Sequence, residues 1–149
     1  MQDNTIAAVF YKTQGVDPMD IFQFFLLAGG IYHVFFFFFH AMFWRFDFLN
    51  WQEELPRMSK TNRAVIQMLA VAVCVFLLIT AYLSLRYPQE LLTTDLGRDL
   101  LVGIALFWLA RLIGEFSFKA HSDSSPAIII VCVLGIVLYL LPASNLLFQ

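Results

Sequence analysis

The sequence predicts an all-α integral membrane protein: a bundle of four transmembrane helices with an interfacial amphipathic segment after the first helix. Of the 149 residues, 60% are apolar and only 13% are charged, and the mean hydropathy is +0.76. A soluble domain of this size could not bury so many apolar residues. Four long, nearly uncharged runs approach the length that crosses a hydrocarbon core of about 30 Å. We expect one transmembrane domain over residues 1–149, with spans at about 20–44, 62–85, 99–118 and 126–142.

The first span is predicted from its start signal and from the uncharged run that follows. Asp17 is suited to the N-cap, Pro18 to the first helical position and Asp20 to the positive end of the helix dipole. Residues 21–44 then contain no charge. Residues 1–16 lack the basic start and continuous apolar core of a secretory signal, so we expect a short interfacial helix or a flexible tail there.

Residues 45–63 are expected to lie at the boundary between lipid and water. This segment mixes charged residues with large apolar ones, which is typical of an amphipathic interfacial stretch. Pro56 is expected to end it. The apolar members are Phe46, Phe48, Leu49, Trp51 and Leu55.

The remaining spans also have recognisable ends. Ser59 or Thr61 is the expected N-cap of the second span, and Thr94 that of the third. The residues between these two spans are interpreted as a link. Residues 125–126, Ser-Pro, open the fourth span, which we expect to end before Pro142.

The basic residues predict the orientation of the chain. Cytoplasmic loops carry an excess of Lys and Arg, and here five basic residues lie on one side against three on the other. We therefore expect a multi-pass protein of a bacterial inner membrane with both termini in the periplasm. The five are Arg45, Arg57, Lys60, Arg63 and Lys119, and the three are Lys12, Arg86 and Arg98.

The third span carries two charges within the membrane, Arg111 and Glu115. An Arg near the centre of a membrane helix costs about 2.5–3.5 kcal/mol on an insertion scale, and we expect Glu to be similarly unfavourable. The apolar residues of this span barely offset that cost. We therefore expect neighbouring helices to screen both charges.

Two histidines of the first span complete a predicted intramembrane polar cluster of His33, His40, Arg111 and Glu115. His33 and Arg111 lie at similar depths, about 18–20 Å into spans that run in the same direction. Glu115 is one turn nearer the cytoplasm, and His40 is close to the boundary. Helical spacing places each pair on one face of its span, so the two faces together would form a pocket on the cytoplasmic side.

Three interpretations of this cluster stay open. Arg111 and Glu115 could pair as a structural lock while the histidines donate to backbone carbonyls. Alternatively, the cluster could bind an anionic head group, a cofactor edge or a proton, because ionisable groups within membranes are often functional. Contact with a partner protein is the third interpretation. His121 falls in a polar loop, where we expect a solvated histidine.

The sequence predicts no cofactor, metal or nucleic-acid partner. His33 and His40 are about 10 Å apart along one helix, so they cannot ligate one haem iron from opposite sides. A haem ligated with the help of another chain, and a quinone bound in a Phe-lined groove, stay as alternatives. Cys74 and Cys132 are expected at different depths, as packing residues without a disulfide. The net charge of −2 offers no basic field for nucleic acid.

Three short motifs within residues 45–118 carry a resemblance. They are Trp-x-x-Glu-Leu and Ser-x-x-Asn-Arg in LNWQEELPRMSKTNR, and Ala-Leu-Phe-Trp-x-x-Arg in GRDLLVGIALFWLARLIGEF. In these motifs the chain resembles a widespread set of uncharacterised small four-helix bacterial inner-membrane proteins. The resemblance implies the same topology and no particular activity. It marks Glu54, Asn62, Arg63, Trp108 and Arg111 as positions of interest.

These observations favour a non-catalytic accessory or structural subunit of a larger membrane protein assembly. The loops are too short for a soluble catalytic domain, and the polar cluster lacks a recognisable nucleophile or metal set. The expected partners are membrane lipids and other membrane subunits or further copies of the chain. One alternative is a lipid- or quinone-handling enzyme that uses Arg111, Glu115 and His33. Another is a small transporter or proton path.

Overall fold

The computed structural model describes residues 18–45, 50–117 and 125–145, and it contains helices and no strand over these residues. Four of the helices are long and apolar enough to cross a membrane, which confirms the predicted all-α membrane bundle. The elements are α1 (Pro18–Ala41), a 3-10 turn (Phe43–Arg45), α2 (Trp51–Arg57), α3 (Lys60–Arg86), α4 (Pro88–Thr93), α5 (Asp95–Ser117) and α6 (Ser125–Asn145).

The helix starts follow the capping signals in the sequence. Pro18 is the first residue of α1, as expected, whereas the predicted cap at Asp17 and the tail over residues 1–16 lie outside the described residues. At α3, the Ser59 hydroxyl accepts a hydrogen bond from the Asn62 backbone N–H at 3.2 Å. The Thr94 hydroxyl likewise accepts from the Gly97 N–H at 2.9 Å and so caps α5. Of the two alternatives for α3, Ser59 is the cap.

The short helix α4 was not expected, because the link between α3 and α5 carries no helical periodicity long enough to detect. Pro88 occupies its first position, where the fixed φ of proline suits a helix start. Leu91 and Leu92 are buried, and α4 packs against α1, α3 and α5. A six-residue helix is unstable alone, so this tertiary burial is what stabilises it.

Two prolines lie inside helices rather than after them. The expectation that α6 ends before Pro142 is wrong, because the helix continues through this buried residue to Asn145. Ending a helix in a membrane leaves several carbonyls without donors, whereas an internal proline removes only one N–H. Pro56 is also internal, and α2 ends one residue later at Arg57. Residues 46–49 of the expected interfacial segment lie outside the described residues.

Helix α1 is at the centre of the packing. Its backbone approaches α3 and α6 closely, and α6 in turn packs along α5. We expected α1 and α5 to meet directly as neighbours, but they face each other across the bundle and meet through long side chains. The central core residues, from all four spanning helices, are Leu26, Leu77, Leu101, Ile104, Cys132 and Leu138.

Two glycines provide the space for large aromatic side chains in this core. A Cβ atom added to Gly135 of α6 would lie 2.5 Å from Cδ2 of Trp108, and one added to Gly29 of α1 would lie 2.8 Å from Cζ of Tyr139. Both distances are far below van der Waals contact. Small residues therefore let α5 and α6, and α1 and α6, approach closely, as is common between membrane helices.

We predict that Gly135→Ala destabilises the protein, because the new methyl group would overlap the Trp108 ring. Overpacking of this kind typically costs about 1–3 kcal/mol. The matched control is Gly103→Ala, since a Cβ at Gly103 meets no atom within 4 Å. The control should be neutral or slightly stabilising because alanine favours helices. Thermal melting in lipid nanodiscs measures both variants, and equal melting temperatures would contradict the observed packing.

Candidate functional site

The imidazole of His33, in the C-terminal half of α1, is fully buried. Its Nε2 atom lies 3.2 Å from Nε1 of Trp108 on α5. Its Nδ1 atom lies 2.9 Å from the carbonyl oxygen of Gly29, one turn earlier, and 2.8 Å from the hydroxyl of Tyr139 on α6. Both ring nitrogens therefore have partners inside the bundle.

The Trp108 contact fixes the protonation of His33. An indole N–H can only donate, so the Nε2 atom that it faces must accept and carries no proton. In a neutral imidazole the proton is then on Nδ1, where it faces the oxygens of Gly29 and Tyr139. A doubly protonated His33 would place two N–H groups against each other at Trp108. The geometry is therefore that of a neutral histidine in one tautomer.

Tyr139 extends the network to the remaining spanning helix. Its hydroxyl lies 3.0 Å from the hydroxyl of Ser84 on α3. Because His33 Nδ1 supplies a proton to Tyr139, the tyrosine can use its own proton to donate to Ser84. The hydrogen bonds then run in one direction, from Trp108 to His33, Tyr139 and Ser84. One chain of four side chains thus joins α5, α1, α6 and α3.

Aromatic contacts surround this chain of hydrogen bonds. The Tyr32 hydroxyl donates to the Val131 carbonyl at 2.7 Å, which gives α1 and α6 a second connection. The Tyr32 ring centroid is 5.1 Å from that of Trp108, and the His33 centroid is 5.0 Å from that of Tyr139, both edge to face. Such contacts add to the burial of the rings and restrict their rotation.

The intramembrane charges form a separate ion pair near the C-terminal end of α5. Arg111 Nη1 donates to Glu115 Oε2 at 3.1 Å, as the i, i+4 spacing allows. The pair is strongly asymmetric, because 47% of the Arg111 side chain is exposed and only 2% of the Glu115 side chain is. The carboxylate therefore points into the bundle, while the guanidinium reaches its surface.

His40 lies near the same end of the bundle. Its Nδ1 atom is 2.9 Å from the Phe36 carbonyl, and its ring lies against Phe43 with centroids 4.5 Å apart. The Arg111 guanidinium is close enough to interact electrostatically with this imidazole. The side chain of His40 is only partly buried.

The four predicted cluster residues are thus divided between two groups. Arg111 contacts Glu115 directly and lies within electrostatic range of His40 near the end of α1. His33 belongs instead to the hydrogen-bonded network with Trp108 and Tyr139. About 10 Å of helix separates the two histidines, since they are seven residues apart.

Three residues of this network, Trp108, Tyr139 and Ser84, were not predicted as partners of His33. Trp108 was marked only because it belongs to a motif. Its indole can only donate a hydrogen bond and lies near the depth of His33, so the pairing of these two residues could have been predicted. Tyr139 and Ser84 could not be paired with His33 without knowing how α1, α3 and α6 pack.

No group of three metal-ligating side chains occurs within residues 18–45, 50–117 and 125–145. Cys74 and Cys132 are both unpaired thiols, and Cys132 is buried in the core.

Fold and site together define a four-helix integral membrane protein with a buried, hydrogen-bonded polar centre. No family model, no curated protein and no solved structure matches the chain.

We predict that Trp108→Phe destabilises the bundle beyond the loss of ring volume. The substitution removes the N–H donor and leaves the buried Nε2 atom of His33 without a partner, at a cost of about 1–3 kcal/mol. The control is the same substitution in a His33→Leu background, where no acceptor is left unsatisfied. Melting temperatures of the two single variants and the double variant give the coupling. Strictly additive effects would contradict the assigned hydrogen bond.

Proposed function

We propose that the chain is a non-catalytic accessory or structural subunit of a larger membrane protein assembly. The observation that carries the proposal is the closed polar centre. The side chains of His33, Tyr139 and Ser84 are fully buried, and their polar atoms bond to one another, to Trp108 and to Gly29. A substrate could reach this centre only by displacing bonds that join the helices. Such a centre is suited to fixing helix positions.

The outer surface supports an assembly as the setting. In α3, the buried side chains begin only at Leu77, so residues 60–76 form about 24 Å of helix without a buried residue. The exposed positions of this stretch include Val65, Met68 and Leu69. In a membrane, either lipid or another helix covers such a surface. If the chain is a subunit, a helix of a partner protein is expected to cover it.

We place the assembly in a bacterial inner membrane, with both termini of the chain in the periplasm. The support is the excess of basic residues on the side that holds α2 and the start of α3. Arg57 and Lys60 lie there and are exposed, as positive charges in a cytoplasmic loop would be.

A lipid- or quinone-handling enzyme is the second candidate. It is favoured by one observation, the half-exposed guanidinium of Arg111, which could hold an anionic group at the membrane surface. A small transporter or proton path has less support, because His33 would have to break its bond to Trp108 to take up a second proton.

The subunit proposal predicts a defined complex when the protein is taken from its membrane in polymer nanodiscs, without detergent. Native mass spectrometry should show a species heavier than the 17.1 kDa chain with its lipids. The complex is expected to involve the exposed face of α3, so Leu69→Trp should dissociate it through a steric clash.

Ile113→Trp on α5 is the matched control, because Ile113 and Leu69 are similarly exposed, at 55% and 59%. This variant should leave the complex intact. A parent protein that is monomeric in several nanodisc preparations would contradict the proposal, and turnover of an added lipid or quinone would favour the enzyme instead.

A further inference from the structure

Arg111 is a half-exposed charged residue at the edge of the lipid-facing surface of α5. Helical spacing places it between the buried face, which carries Trp108 and Glu115, and the exposed apolar face of the helix. In a membrane this surface faces lipid, where a guanidinium without an anionic or polar partner is costly. The large exposed residues of that face, Leu106, Leu109, Ile113 and Phe116, lie on the far side of the helix axis from Arg111.

Glu115 uses only part of the hydrogen-bonding capacity of Arg111. Among the residues that the structure describes, Arg111 makes one hydrogen bond, from Nη1 to Glu115. A guanidinium has five N–H donors in a planar fork, which suits two oxygens of a phosphate or carboxylate. The half-exposed side chain therefore has donors left for an anionic group at the surface of the bundle.

Arg111 is near enough to the end of α5 for its guanidinium to reach the lipid head groups. Arg111 is six residues before the end of α5 at Ser117, which is about 9 Å along the axis. The Trp108–His33 hydrogen bond puts these two residues at one level, and Arg111 and His40, the penultimate residue of α1, follow them toward the same end of the bundle. A long arginine side chain reaches the interface from such a position.

We propose that Arg111 and His40 form a binding site for the phosphate of an anionic phospholipid in the leaflet at the C-terminal end of α1. Arg111 donates two N–H groups to the phosphate oxygens, while the acyl chains extend along the outside of the bundle. His40 holds its Nδ1 on the Phe36 carbonyl and so leaves Nε2 directed away from its own helix. Buried Glu115 fixes Arg111 from the inside and limits its net positive potential. This inference is independent of the subunit proposal.

The test is native mass spectrometry of the full-length, delipidated protein titrated with dioleoyl phosphatidylglycerol. Dioleoylglycerol, which lacks the phosphate, and inorganic phosphate, which lacks the chains, are the two reference ligands. We expect retention of phosphatidylglycerol and of neither reference. Equal retention of dioleoylglycerol would overturn phosphate recognition, and displacement of the lipid by millimolar inorganic phosphate would overturn the assignment to a lipid.

Substitutions identify the residues that hold the lipid. Arg111→Gln with Glu115→Gln removes both charges, so no carboxylate is stranded in the bundle, and it should fold while weakening retention about tenfold or more. His40→Asn should weaken it to a smaller extent. Glu115→Gln alone should strengthen retention, because it raises the positive potential at Arg111. A purely structural Arg111 would not produce that last effect.

Arg98→Gln is the matched control. Arg98 is also on α5 and partly exposed, but it pairs with Asp95 and Asp99 at the opposite end of the helix. This variant should retain phosphatidylglycerol as the parent does. Unchanged retention in the folded double variant, or equal loss in Arg98→Gln, would overturn the proposed site.

Discussion

The hydrogen bond from the Trp108 indole to Nε2 of His33 is the constraint on which the rest of the bundle depends. It joins two helices that make few backbone contacts with each other, α1 and α5. It also decides the tautomer of His33 and therefore the direction of the bond between His33 and Tyr139. Tyr139 can donate to Ser84 only because His33 supplies a proton to Tyr139. A single donor-only side chain thus determines how four helices are connected.

The membrane explains why such a network is useful. Lipid tails are as apolar as the helix surfaces, so burying apolar area between helices adds little to association in a bilayer. Close packing and interhelical hydrogen bonds have to supply specificity, at about 0.6–2 kcal/mol for each bond. Gly29 and Gly135 allow the close packing by accommodating Tyr139 and Trp108. Tyr139 and Trp108 thus each pack against a glycine and also form an interhelical hydrogen bond. The distance between the helices and their rotation are therefore fixed by the same two side chains.

Local signals in the sequence predicted much of the fold. The long apolar runs located all four spans, and Ser59 and Thr94 marked helix starts, since capping depends only on residues a few positions apart. The short helix α4 and the continuation through Pro142 could not be predicted in this way. Both depend on burial against other helices, which overrides local propensity.

The candidate site was predictable only in part, for the same reason. Arg111 and Glu115 form the pair that their i, i+4 spacing allows, because both are on one helix. His33 was identified as a buried polar residue, but its partners come from three other helices, and one sequence does not specify how these rotate. The asymmetry of the ion pair, with Arg111 outside and Glu115 inside, likewise required the packed bundle. Because of this asymmetry, the Arg111 guanidinium is accessible at the surface of the bundle, whereas the polar centre around His33 is closed.

The most direct measurement of the central claim is the protonation state of His33 in lipid bilayers. Nitrogen-15 NMR of histidine-labelled protein distinguishes a protonated from an unprotonated ring nitrogen, and comparison with a His33→Leu variant assigns the signals. We predict a neutral ring near neutral pH, with the proton on Nδ1 and a through-space contact between Nε2 and the Trp108 indole proton. A proton on Nε2, or a doubly protonated ring, would contradict the Trp108 bond and with it the account of how the helices are joined.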